Sequence, residues 1–183
     1  MAAQVVGKGV FATVHLELKN GKNVAVKVYE HKVGALGSDA QKMQDLHLTN
    51  ELRLAGHLSH PNIIAPLEVR IGSARTELTM EYAPHGTLEA YVLRLGPLGL
   101  SEAEGRRLFA ELVSAVAYLH GKAIAHRDIK LENVMLDSAW RARVRQLAPR
   151  SANHLTGIPY PCYALLDLLI QTSVDRHRAL SAH

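Results

Sequence analysis

The stretch His126–Leu136, HRDIKLENVML, sets an aspartate and an asparagine five residues apart. A carboxylate that accepts a proton and an amide oxygen that holds a metal are parts from which a phosphoryl-transfer site is assembled. Asp128 and Asn133 are therefore the first candidates for chemistry. The following DSAWRARVRQLAPR supplies no second metal-binding acid where such a site needs one. Lys27 and Glu51 form a second candidate pair. Lys27 shares a strand face with Ala25 inside a run of valines, and Glu51 falls on the apolar stripe of a helix. Burying that carboxylate unpaired would cost several kcal/mol. Either side chain alone could snorkel to solvent. Taken together they point to an inward ion pair.

The elements that must position these residues follow from periodicity. ATVHLEL and NVAVKVYE alternate as strands and are joined through Lys19-Asn20-Gly21-Lys22, a strong hairpin signal, with QVV as a strand before them. Gly7 and Gly9 lie between two strands. A dinucleotide site or P-loop would instead need a helix to open there, so the glycines belong to a hairpin flap whose N–H groups can lie over phosphates. A helix is expected from Asp39 to Leu58, with Leu48, Glu51, Leu52, Ala55 and Leu58 on one stripe. HPNIIAPLEV and TELTMEYA read as two more strands. Thr87 caps a short helix that Gly96 ends, and the box Ser101-x-x-Glu104 opens a longer one that His120-Gly121 stops. Leu108, Phe109, Leu112, Val113, Ala115, Val116 and Leu119 are its expected buried face. Arg141, Arg143 and Arg145 alternate, which on a strand gives one shared face, read as solvated.

Composition narrows the class. The 48% hydrophobic and 21% charged residues fit an ordinary globular chain, and a net charge of +4 makes no case for nucleic acid. One cysteine, Cys162, rules out an internal disulfide and a cysteine-based zinc site, and no His-Glu-x-x-His occurs. MAAQVVGKG has no signal-peptide character and YALLDLLI is too short to span a bilayer, so no membrane association is expected. The expected location is intracellular, cytoplasmic with the nucleus open.

GKGVFATV, VAVK, Glu51 nine residues before His60 in HPNII, MEYA and HRDIKLEN occur in order and at protein-kinase separations. From about Gln4 to Asp137 the chain resembles the eukaryotic protein kinase domain, and Lys130 two residues after Asp128 resembles the serine/threonine branch. The resemblance implies an α+β, two-lobed fold. A β-rich N-lobe with one regulatory helix would span about 1–83 and the start of an incomplete helical C-lobe about 84–137. Residues 138–183 would be a divergent segment, with LTGIPYPCYALL as a remnant of an activation segment and a helix from Tyr163 to Leu180.

The resemblance also implies roles. Gly7, Lys8 and Gly9 would form the phosphate-covering flap, with Phe11 at its tip and Ala12 where a third glycine is usual. Val14 and Ala25 would sandwich adenine, Met80 would guard the back of its site, and Glu81 and Ala83 would offer main-chain groups. Lys27 would bind the α/β-phosphates of ATP, held by Glu51. Asp128 would take the hydroxyl proton, Lys130 would steady the phosphoryl group, and Asn133 would bind Mg²⁺. His126 and Arg127 complete the loop. Where the family places Asp-Phe-Gly this chain has Gln146-Leu147-Ala148, so the second metal ligand is missing. Two functions follow: a serine/threonine kinase acting on protein hydroxyls, or a pseudokinase that binds nucleotide or protein and regulates a partner.

Overall fold

In a computed structural model of the chain, which describes residues 4–31, 39–126 and 128–145, the polypeptide divides into two units. One holds the described residues up to Ser59 together with Ile64–Tyr82, and the other holds His60–Ile63 and the described residues from Ala83 onward.

The first unit is built on an antiparallel sheet ordered β1-β2-β3-β6-β5, from β1 (Gln4–Lys8), β2 (Thr13–Lys19), β3 (Lys22–Glu30), β5 (Pro66–Ile71) and β6 (Arg75–Glu81). The β2–β3 turn is the expected one: Asn20 and Gly21 take φ of 51° and 75°, the two left-handed steps that match strand twist. Side chains alternate along β3, so Val24, Val26 and Val28 form one buried cluster. The other face is set by register. Val14 pairs with Lys27 and Lys27 with Leu78, while Leu16 pairs with Ala25 and Ala25 with Met80. Gly7 continues the Val14 row onto β1. Gly7, Val14, Ala25, Lys27 and Met80 thus share one face.

The helix α1 (Asp39–Leu54) is tied to β3 by Gln44, whose Nε2 donates to the Glu30 carbonyl at 2.8 Å. It ends short of the expected Leu58, because Gly56 turns left-handed with φ of 76° and the helix cannot continue through it. Leu58 is buried all the same, from the loop. HPNIIAPLEV is also not one strand: Ile63–Ile64 forms β4 in a separate sheet, ordered β4-β8-β7 with β7 (Val134–Leu136) and β8 (Ala142–Arg145), and the next strand of the first sheet starts only at Pro66.

The second unit centres on α3 (Glu102–Gly121). Ser101 Oγ accepts from the Glu104 N–H, and the Glu104 carboxylate accepts from the Tyr91 hydroxyl on α2 (Leu88–Leu95). The helix ends at Gly121, as the His120-Gly121 pair leads one to expect, and Ala123 supplies the left-handed step (φ 57°). Leu108, Leu112, Ala115 and Leu119 are buried as expected, but Val113 faces solvent, 44% exposed. Its place one step beyond Leu112 turns it off the stripe.

The hairpin of β7 (Val134–Leu136) and β8 (Ala142–Arg145) is anchored to α3 by Glu111, which accepts from the Ala142 N–H. Asp137 organises its turn, accepting from the N–H groups of Ala139 and Arg141 and from Arg141 Nε. Trp140 is left-handed there, with φ of 59°, a costly geometry for a bulky residue. Its ring stacks on His85 at 3.6 Å and its N–H donates to the Asp137 carbonyl, which together hold it. The arginine alternation is solvated only in part: Arg141 and Arg145 are exposed, whereas Arg143 between them is only 8% exposed and donates to the Pro61 carbonyl from the central strand of its sheet.

Burial on α3 gives a direct test. Leu112→Ala, at a site 2% exposed, is expected to lower unfolding stability by about 2–5 kcal/mol. Val113→Ala on the adjacent position is expected to stay within about 0.5 kcal/mol of the parent in urea titration.

Candidate active site

In the first unit the cation and carboxylate expected to pair do so. Lys27 Nζ donates to Glu51 Oε1 in an ion pair that is among the most buried of the unit, with the Glu51 side chain 6% exposed. The Lys27 ammonium also lies 5.1 Å from the Tyr29 ring centroid. Alternation forces Lys27 onto the Ala25 face, and the helical phase of α1 carries Glu51 inward, so each charge solves the other's burial problem. Gly9 N donates to the Ala12 carbonyl at 2.9 Å, a tight turn in which an added Cβ at Gly9 would meet that oxygen at 3.4 Å. Phe11 packs its ring on His47 of α1, 4.7 Å between centroids. Lys8 and Glu81 are exposed, and Glu81 pairs in register with Val24.

In the second unit the loop before β7 gathers Asp128, Lys130 and Asn133. Ile129, buried, pins the loop between them. Residues Leu131–Asn133 make one 3-10 turn, closed by Asn133 N donating to the Lys130 carbonyl. The Asn133 side chain is then 1% exposed, and its Nδ2 donates to Asp128 O at 2.8 Å and to Asp128 Oδ2 at 2.9 Å. Lys130 Nζ stands 3.4 Å from the same carboxylate, and both of those side chains are about half exposed. His126 backs the loop: its Nδ1 faces the Asp128 N–H at 3.4 Å and its Nε2 the Arg145 carbonyl at 3.0 Å. A ring that accepts at Nδ1 carries its proton at Nε2 and donates to that carbonyl. Burial keeps it neutral, pulling the His126 pKa below the ordinary histidine value although the Arg145 carbonyl and Asp128 oppose the shift. Ala83 is buried, its carbonyl accepting from the Gly86 N–H. Arg127 and Gln146 fall outside the described residues, as do the activation-segment remnant and the helix expected from Tyr163.

A description of the protein kinase domain matches residues 2–145. The chain belongs to the protein kinase domain family. CBL-interacting protein kinase 16 of Oryza sativa subsp. japonica is 37% identical over 143 residues, 77% of this chain and 30% of that protein. CBL-interacting serine/threonine-protein kinase 21 of Arabidopsis thaliana is 33% identical over 174 residues, 91% of this chain and 40% of that one. The kinase-domain likeness extends to structure. Rad53 1-466, solved in complex with AMP-PNP, superposes with a TM-score of 0.69 at 25% identity, covering 81% of this chain and 39% of that one. The kinase domain described here is thus of the serine/threonine type by its relatives, and the chain spans well under half of their lengths.

Protein kinases as a family use ATP and Mg²⁺. The loop's donors do not fit the ion as they stand. Arg145 Nη2 donates to Asn133 Oδ1 at 2.7 Å, so a guanidinium holds the amide oxygen expected to meet a metal. Asp128 Oδ2 is shared between an amide N–H and a lysine. Among the described residues no three His, Cys, Asp or Glu side chains gather as a metal would need. Mg²⁺ prefers a near-octahedral shell of carboxylate, phosphate and water oxygens. Arg145 is the residue the sequence reading missed. Its signal was the hairpin register: Val134 pairs with Val144, so one step further sets Arg145 opposite Asn133.

The buried pair is expected to respond asymmetrically. Lys27→Met strands a buried carboxylate and should cost about 3 kcal/mol or more, whereas Glu51→Gln leaves a lysine able to reach water and should cost nearer 1 kcal/mol. Urea unfolding of the two variants measures the order. Acid should destabilise the domain through its buried histidine. A lowered native pKa at His126 means the unfolded chain binds more protons, so this stability is complete above about pH 6.5 and is lost as pH falls through the native value. His60, lowered by burial and by Arg143, acts in the same sense. Melting temperature should fall between about pH 7 and pH 5, and His126→Asn should show a shallower fall.

Proposed function

We propose that the chain is an ATP-binding, serine/threonine kinase-like domain. Lys27, oriented by Glu51, takes the α/β-phosphates beneath the Gly7–Gly9 flap. Asp128 accepts the proton of a protein Ser or Thr hydroxyl, and Lys130 steadies the transferring phosphoryl group. Val14, Ala25 and Met80 receive the adenine ring, with main-chain groups at Glu81 and Ala83 along its edge. The observation that carries this reading is the formed Lys27–Glu51 pair, the arrangement kinase catalysis requires. ATP supplies the activated phosphoryl group, and the protein's share is to position it and to accept the proton.

A second reading, a nucleotide-binding regulator with little turnover, is favoured by Arg145 on Asn133 and by Gln146 in the sequence. Replacing a fixed metal-binding charge by a neutral amide is expected to slow transfer on the order of a hundredfold or more. An intracellular setting and a protein substrate or regulated protein partner belong to both readings.

A thermal melt of the purified chain tests the shared core. ATP at a hundredfold over its Kd should add roughly 2.7 kcal/mol of stability, and Lys27→Met should abolish the gain. Transfer of phosphate to a Ser/Thr peptide library separates the two readings. Transfer that drops about a hundredfold in Asp128→Asn supports the kinase, and an ATP-induced shift without transfer supports the regulator. No shift with ATP sinks both.

A further inference from the structure

The oxygen expected to carry a metal already carries a cation. The orientation of the Asn133 amide is forced by its surroundings. Its Nδ2 faces the Asp128 carbonyl and the Asp128 carboxylate, both acceptors, and a flipped amide would set oxygen against two oxygens. Oδ1 therefore points to Arg145, and the 2.7 Å contact is at the short end for a charge-assisted hydrogen bond. Arg145 is held through its backbone as well, since its carbonyl accepts from His126 and its strand position faces Asn133 across the hairpin. A guanidinium cannot give up its charge, and its planar fork of five N–H donors suits a phosphate after one of them has bonded to Asn133.

Charge balance points the same way. Asp128 contributes one negative charge to the cluster, and Lys130 and Arg145 contribute two positive ones. The residue after Arg145 is the neutral Gln146. Without any divalent ion these three contacting side chains already carry a net positive charge. A magnesium ion would have to displace a guanidinium from a buried amide in order to bind there.

We propose that Arg145 is the built-in cation of this loop and replaces Mg²⁺ at Asn133, so that the chain binds ATP as the metal-free polyphosphate. This rests on the ATP-binding reading and names the counter-ion that the reading leaves open.

Calorimetric titration of the full chain with ATP, once in EDTA and once in excess Mg²⁺, tests it. The expected result is a Kd in EDTA within about threefold of the Mg²⁺ value, or tighter. Arg145→Ala should weaken binding in EDTA by about tenfold or more and give the variant a preference for Mg²⁺ that the parent lacks. Binding by the parent that requires Mg²⁺ overturns the proposal and leaves the nucleotide reading standing. So does Arg145→Ala binding unchanged in EDTA. Absence of ATP binding in both buffers removes the nucleotide reading and this proposal with it. The comparison of buffers uses the parent chain alone, so it decides the matter even if Arg145→Ala does not fold.

Discussion

A buried side-chain amide must satisfy a carbonyl and an amino group without help from water, and Asn133 organises the second unit around that requirement. Its amino group draws in both the backbone and the carboxylate of Asp128. Its oxygen draws in the last residue of β8. A loop, a 3-10 turn and a hairpin are thereby joined at one residue. The half-exposed Asp128 carboxylate is held from beneath while it faces solvent. A leucine of similar size at 133 would fill the volume and release all three bonds, leaving Asp128 an acid on a loose loop.

The first unit solves a different problem with the same logic. Its sheet alternates, so a lysine among valines must face either water or a partner. The partner comes from a helix far along the sequence. A buried ion pair of this kind is weak evidence for stability, because desolvation offsets most of the attraction. What it does supply is orientation: one ammonium is held in a known place on the face shared by Gly7, Val14, Ala25 and Met80. In both units, then, a charged group is placed by a neighbour that is itself more buried.

The parts legible in the sequence were those with short-range causes. Asn20-Gly21, Thr87 and Ser101 specify a turn and two caps by their own chemistry, and the structure has all three. The Lys27–Glu51 pair was legible because two separate misfits had one shared solution. The misses arose where tertiary context decided. Periodicity carried α1 through Gly56 because Ala55 and Leu58 continue the stripe, while the backbone turned left-handed. Period two placed three arginines on one face and could not say that the middle one, Arg143, would be buried and donate to the Pro61 carbonyl. Nor could the identity of Asn133 as a metal-ligand type reveal that a residue opposite it on the hairpin would reach its oxygen first.

Trp140 sits at the tip of the β7–β8 hairpin, stacked on His85 and 5.1 Å from the Tyr91 ring, and it is the chain's single tryptophan. All three rings belong to the second unit. Indole emission from this protein therefore reports on one unit alone, and the five-stranded sheet of the other contributes nothing to it. An unfolding curve followed by that emission describes the hairpin and its stack. One followed by backbone dichroism describes both units together. The interval between the two midpoints is then a direct reading of whether the sheet and the loop melt as one cooperative body or as two.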